Sequence, residues 1–255
     1  MPVMTKRVMS YCLENMQIKN FKTISSTNTY ALEHFDVLDD FCVVIADIQT
    51  AGRGRFDRTW VSHEENNIYL SFVLKPENKK YITNLTQYLS VVTARTIESY
   101  DVSPQIKWPN DVLINGKKVC GILCESKLKY SNILGVVLGI GVNLNMKQET
   151  IDSIDRPATA LNLETGKIIN KKEFLSKLLN EFEKDYHKVL EQGFGFFKTD
   201  YLKRIDFLGK KVYIQQRDGA QKEEYIAKDI DENGNLIVLT TENTEKTILS
   251  GDLIL

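Results

Sequence analysis

Three arginines, Arg53, Arg55 and Arg58, fall within six positions of the stretch QTAGRGRFDRTW (49–60), with Gly52 and Gly54 flanking the first of them. Guanidinium groups grip phosphate or carboxylate oxygens through paired donors, and glycine lets backbone N–H groups approach an anion closely. This composition favours a loop that holds an anionic ligand. A solvated basic loop would account for the arginines, but not for Gly52, Gly54 and Trp60 among them. A second group lies in KWPNDVLINGKK (107–118). Pro109 keeps the chain out of helix and sets Asn110 and Asp111 in a turn at a strand end. Lys118 stands seven residues beyond Asp111, across an Asn115-Gly116 dipeptide suited to a tight hairpin. If the strands pair across that turn, a carboxylate and an ammonium reach one cavity, where they suit electrostatic or metal-assisted stabilisation of a phosphate. An exposed hairpin with a surface ion pair is the plain alternative.

Two weaker signals accompany these. SSTN (25–28) offers hydroxyls and an amide before YALEHF, the residue types that cap a helix, and a cap can also donate to a ligand. LGIGVNLN (138–145) suggests a dinucleotide fingerprint and fails it, because Leu144 stands where the third glycine belongs. Glycines in a buried strand more often mark close approach of backbone or ligand. No G-x-S-x-G, H-E-x-x-H or Walker-type motif is present, which removes the main support for serine hydrolase, zinc protease and P-loop readings.

The elements that must position these groups are legible from periodicity. FCVVIADI (41–48) and NIYLSFVL (67–74) read as buried strands, and SNILGVVLGIGVNLN (131–145) as a further, central one. Leu85, Leu89, Val92 and Ile97 recur at helical spacing between Thr83 and Tyr100. Asn170, with Glu173 three residues on, starts a helix whose apolar face is Phe174, Leu178, Phe182, Tyr186 and Val189, and Gly193 ends it. A shorter helix is expected around 195–205. After Leu208 the texture changes to short strands, GKKVYIQQ, EEYIAKDI, NLIVLT and KTILSGDLIL, broken by turns such as Glu232-Asn233-Gly234. The fold class is α+β: a mixed sheet backed by helices in residues 1–205, with a small β-barrel in 206–255.

Composition bounds the rest. The 255 residues, 42% hydrophobic, suffice for a full core, and a net charge of -1 argues against nucleic-acid binding through bulk charge. No apolar run approaches membrane length, and MPVMTKRVMSYCLENM at the N-terminus lacks a signal-peptide core, so a cytoplasmic protein is expected. Cys12, Cys42, Cys120 and Cys124 form no paired metal motif, and the three histidines are scattered; reduced thiols are expected and no zinc.

SSTN, QTAGRGRFDRTW, KWPNDVLINGKKVCGIL and GIGVNLN, in this order, resemble the biotin–protein ligases. The resemblance runs from about Phe21 to the C-terminus and takes in RPATALNLETG (156–166). It implies a catalytic domain of the class II synthetase-like biotin–lipoate ligase type and an SH3-like C-terminal barrel. It also implies a two-step acyl transfer. Biotin carboxylate attacks the α-phosphate of ATP to give biotinyl-5′-AMP, and a lysine of a biotin carboxyl carrier protein then displaces AMP. By similarity, Ser26, Thr27, Asn28 and Gln49 bind the ring end of biotin, and Gly121, Ile122 and Leu123 line its pocket. Gly52, Arg53, Gly54 and Arg55 close over the carboxylate and phosphate. Lys118 and Arg53 act in catalysis, and Asp111 positions metal or the incoming lysine. Arg53, Arg55, Arg58, Trp60, Lys107, Asn110 and Asn143 meet ATP or the adenylate. Mg²⁺ is the implied cofactor, with no protein ligand set assigned. Since barely 20 residues precede the resemblance, a ligase without a DNA-binding winged helix is expected, with no DNA or membrane partner. An exposed strand could support a homodimer. The loop at 50–60 is expected to order over the adenylate and to be disordered without ligand. A lipoate–protein ligase and a non-enzymatic biotin sensor are the alternatives.

Overall fold

The computed structural model describes residues 16–216 and 221–255. The N-terminal stretch read for a signal peptide, Cys12 included, lies outside them, apart from Met16. Among the described residues no helix is long and apolar enough to cross a membrane.

Seven strands form the main sheet: β1 (Ile18–Ile24), β2 (Cys42–Gln49), β3 (Ile68–Leu74), β4 (Pro104–Lys107), β5 (Asp111–Ile114), β6 (Lys117–Lys129) and β7 (Asn132–Val142). Their order is β1-β2-β3-β7-β6-β5-β4, which puts the glycine-bearing β7 at the centre, as its continuous apolar run implied. Only β1 and β2 pair in parallel; the other neighbours are antiparallel.

Strand alternation gives the sheet two different faces. On one, Val43, Ile45, Leu70, Phe72, Leu138, Ile140, Cys120 and Ile122 join a single core with α2 (Leu85–Glu98) and α5 (Lys171–Gln192). The Asn170 side chain accepts the N–H groups of Lys172 and Glu173, and all five apolar residues expected on the α5 face are buried. Glu173 pairs with Lys177 at 2.9 Å. On the other face, α1 (Thr27–Glu33) and the turn after it cover Cys42, Val44, Val73 and Val137 with Ala31 and Phe35. The apolar part of that cover ends before Gly139 and Gly141, where Asn28 and Trp60 lie instead.

The chain then runs through two short helices, α3 (Gln148–Asp152) and α4 (Leu161–Thr165), and ends its first sheet region with α6 (Lys198–Leu202), inside the span where a second helix was expected. The small β-domain is a five-stranded antiparallel sheet, β8 (Lys211–Gln215), β9 (Glu223–Ile230), β10 (Leu236–Leu239), β11 (Glu245–Ile248) and β12 (Asp252–Ile254), ordered β11-β10-β9-β8-β12. One of its turns is fastened to α2 and to the β4–β5 corner. Trp108 Nε1 and Gln87 Nε2 donate to the Gly234 carbonyl at 3.0 and 2.6 Å, and Asn84 Nδ2 donates to Asn233 O at 2.7 Å. Gly234 has φ 84°, and a Cβ there would come within 2.5 Å of Gln87, so glycine is required.

Candidate active site

The β5–β6 hairpin turns at Asn115 and Gly116, both at positive φ, as the dipeptide predicted. Asp111 pairs with Gly121, but a register shift between Val112 and Leu113 sets Leu113 opposite Lys118. That bulge gives β6 one residue more than β5 over the same stretch. It rotates Lys118 onto the face that carries Gly121 and Asp111, which strict alternation would deny it. Lys118 Nζ accordingly lies 2.7 Å from Asp111 Oδ1, and Lys107 Nζ lies 3.5 Å from Oδ2. Burial alone would raise the Asp111 pKa; the charges of Lys118 and Lys107 outweigh it and hold the carboxyl below its usual range.

Gly121 and Gly141 are cross-strand partners, and Gly139 lies opposite Leu123 on the same face. Three missing side chains on adjoining strands leave a furrow in the sheet, and the structure fills it from above. The Trp60 indole lies on Gly141 so closely that a Cβ there would come within 2.4 Å of it; a Cβ on Gly121 would meet the Lys118 stem and Trp60, both at 2.9 Å. Lys118 Nζ sits 5.4 Å from the Trp60 ring centre, in cation–π range. Trp60 Nε1 is buried with no hydrogen-bond partner among the described residues.

At the other end of the furrow a chain of polar groups is closed on itself. Gln49 Oε1 accepts from Thr27 N at 2.9 Å and Thr27 Oγ1 at 3.2 Å, and Gln49 Nε2 donates to Ser62 Oγ at 3.2 Å. The Ser71 hydroxyl reaches Thr27 Oγ1 at 2.8 Å and Asn28 Oδ1. Asn28 Nδ2 donates to Leu123 O and to Glu125 Oε2. Ser26 serves as the N-cap of α1, accepting from Thr29 N. A buried amide–hydroxyl network of this kind presents hydrogen-bonding edges to a small polar ring.

The arginine loop closes over this face as a ribbon, bridged at Arg53 and Thr59 and tied by Gly54 N to Arg58 O (2.7 Å) and Trp60 N to Gly52 O (2.9 Å). These bonds define a closed form of the ribbon. A Cβ on Gly52 would fall 2.3 Å from Ser62 Oγ, so this glycine lets the ribbon lie flat on the network. Arg55 Nη1 reaches Asn110 Oδ1 (3.1 Å), Gly251 O (3.1 Å) and Asp252 Oδ1 (3.2 Å); Arg58 also pairs with Asp252. The β-domain therefore holds the loop tip through the Asp252 carboxylate and the Gly251 carbonyl. Asp252→Asn is expected to raise the KM for ATP about fivefold and that for biotin less, as befits loss of a partly buried pair; steady-state kinetics with each substrate varied will show it.

Most of the expected residues converge. Lys118, Asp111, Lys107, Trp60 and Gly121 meet at one end of the furrow, with Arg55 and Asn110 beside them. Ser26, Thr27, Asn28, Gln49 and Gly52 meet at the other. Asn143 is buried at the exit of β7, donating to Thr159 O, whose own N–H returns to Lys118 O. Two placements differ from expectation. The Ile122 side chain points into the helix-backed core, because it alternates with Gly121 and Leu123; its backbone instead pairs with Asn110. Arg53 does not join Lys118, because Glu125 takes its guanidinium. Glu125 is four residues along β6 from Gly121, about 13 Å at strand rise. Four contributors were not singled out from sequence: Glu125, Ser71, Ser62 and Asp252. Ser71 alone left a trace, the one serine in the fully buried run of β3.

A sheet with a glycine furrow, an arginine ribbon above it and a lysine–aspartate pair at one end defines a biotin/lipoate ligase type of domain. The chain belongs to the Biotin/lipoate A/B protein ligase family, whose model matches residues 20–143; residues 207–255 match the Biotin protein ligase C terminal domain. It is 32% identical over 219 residues to the biotin–[acetyl-CoA-carboxylase] ligase of Paracoccus denitrificans, covering 90% of that protein. It is 35% identical over 214 residues to the bifunctional ligase/repressor BirA of Bacillus spizizenii, of which it spans 65%. The biotin protein ligase of Aquifex aeolicus, solved in complex with biotin and ATP, superposes with TM-score 0.78 at 31% identity, covering 93% of this chain and 97% of that one.

Proposed function

We propose that this protein is a biotin–protein ligase: it joins biotin to ATP as biotinyl-5′-AMP and then to a lysine of a biotin carboxyl carrier domain. The observation that carries this is the furrow itself, with a hydrogen-bonding network at one end for the polar ring and the Lys118–Asp111 pair at the other for the reacting anions. A carboxylate and a polyphosphate repel each other, so their encounter needs positive charge already in place. Lys118 supplies it on the furrow floor, and Arg55 supplies it from the ribbon. In the first step the biotin carboxylate oxygen forms a bond to the α-phosphorus and the bond to pyrophosphate breaks. In the second the carrier amine attacks the acyl carbon, AMP leaves with the bonding electrons, and the amine gives up a proton. Asp111 is the residue assigned to orient that amine, and its burial beside Lys118 supports the assignment.

Asp111 is also the only carboxylate in direct contact with Lys118 among the described residues, and it is committed to two ammonium groups. No cluster of three metal-binding side chains occurs among the described residues. Mg²⁺ therefore fits as part of the Mg-ATP substrate, held mainly by phosphate oxygens and neutralising them. The network of Thr27, Asn28, Gln49 and Ser71 favours a cyclic urea over the apolar dithiolane of lipoate, since a urea can exchange hydrogen bonds with these groups and a dithiolane cannot replace them. The test is mass spectrometry of a carrier domain incubated with the purified protein and Mg-ATP, with biotin or lipoate. A single biotinyl addition is expected; lipoyl transfer instead, or none, would overturn the reading.

A further inference from the structure

We propose that Glu125 is a positioning residue that latches the arginine ribbon through Arg53, so that the Arg53–Glu125 pair governs how long the acyl-adenylate stays enclosed. This rests on the ligase reading above. The Glu125 carboxylate receives Arg53 Nη2 on both oxygens, at 2.6 and 2.9 Å, and Asn28 Nδ2 on one of them, at 2.9 Å. One side chain therefore ties three parts together: the ribbon, the first turn of α1 and the central strands. Asn28 in turn is fixed by Ser71 and packs on Gly139, where no Cβ would fit. The latch is thus anchored on a buried, hydrogen-bonded part of the ring-binding end.

Its position sets its task. Glu125 shares a face with Gly121 and Leu123 but lies at the α1 end of the furrow, about 13 Å from the Lys118 end by strand rise. From there Arg53 cannot neutralise the reacting anions at Lys118 without leaving its partner. What the pair can do is close one side of the ribbon while Arg55 and Asp252 close the other. Both anchors are ion pairs, and the Arg53 side chain is 38% exposed, so this latch is the one that salt and ligand reach. Opening it lets substrate in and product out. Closing it keeps water from the mixed anhydride until the carrier lysine arrives.

The test uses the whole chain and three variants, Glu125→Gln, Arg53→Gln and the double variant. Amide hydrogen exchange of residues 50–60 is first followed without substrates, which needs no ligase activity. Adenylate formation is then measured with radiolabelled ATP, and adenylate release after rapid gel filtration. Each single variant is expected to speed exchange in the ribbon and to raise the release rate about tenfold, several times more than it changes formation, as for loss of a charge-assisted pair. The double variant is expected to match the singles, since both act through one contact. Unchanged exchange, formation and release altered by the same factor, or additive single effects would each overturn the latch. Failure of the wild-type protein to make adenylate would sink the ligase reading instead, and the exchange data would still judge the latch.

Discussion

Lys118→Ala is expected to slow biotinyl-adenylate formation between about 100- and 1000-fold, the usual effect of deleting one preplaced donor from developing phosphate charge. Biotin binding in the absence of ATP is expected to weaken by less than about tenfold, because the ring-binding network lies at the far end of the furrow. Equilibrium binding by calorimetry and burst kinetics with labelled ATP separate the two; equal losses would mean that Lys118 serves only to hold biotin. The same substitution strips Asp111 of its nearest cation, at 2.7 Å, and leaves a buried carboxylate with Lys107 at 3.5 Å and the weaker field of Arg55. The pH dependence follows from the lowered Asp111 pKa, in which the cost of burial is outweighed by Lys118 and then Lys107. A carboxylate whose folded pKa lies below its unfolded one contributes stability above the unfolded value, about 3.9 for aspartate, and loses it as pH falls through the folded value. The pair is therefore intact at neutral pH and down to below about pH 4. Any acid limb of the rate profile above pH 5 must then belong to another group, and Asp111→Asn should leave that limb in place.

Gly139→Ala is the second large effect expected. An added Cβ would come within 2.0 Å of Asn28 Oδ1, which cannot yield without breaking its contacts to Ser71 and Glu125. Forcing a methyl into such a site costs about 1–3 kcal/mol of stability. Biotin affinity is expected to fall at least about 100-fold, because the displaced amide both blocks the furrow and leaves buried polar groups unpaired. Gly54→Ala is the internal control. Its Cβ would lie 3.5 Å from Arg58 O, an ordinary contact, so thermal stability is expected to stay within about 0.5 kcal/mol of the parent. If Gly139→Ala binds biotin as tightly as the parent does, the furrow is not where the ring lies.

Much of this was legible in the sequence because the strongest signals are local. The apolar run of β7 announced a central strand, Asn115-Gly116 announced the hairpin, and Asn170 with the Phe174–Val189 stripe announced α5. The glycines at 139 and 141, useless as a dinucleotide fingerprint, did mark close approach: Asn28 and Trp60 occupy the space of their missing side chains. What stayed hidden was relational. The bulge that turns Lys118 onto the site face depends on how two strands pair, and nothing in KKVCG marks Val119 as the extra residue. Glu125 is one acidic residue among 34 acidic residues in the chain, and its role appears only when β6 lies beneath α1 and the ribbon. Asp252 lies 197 residues from Arg55. Such pairings are made by the fold, so composition could suggest that Arg53 binds an anion but not that the anion is the protein's own. Ile122 shows the converse: a residue beside the right neighbours in sequence points to the other face by strand alternation alone.

The central claim is that the glycine furrow holds the ring of biotin with its carboxylate delivered to Lys118. A crystal structure of this protein with biotinyl-5′-AMP tests it most directly. The bicyclic ring is expected over Gly141 with Trp60 displaced from it, its urea beside Asn28 and among Thr27, Gln49 and Ser71, and Lys118 Nζ within about 3 Å of the oxygens around the acyl-phosphate bond. An adenylate seated elsewhere, with Lys118 still bound only to Asp111 and Trp60 undisturbed on Gly141, would contradict it.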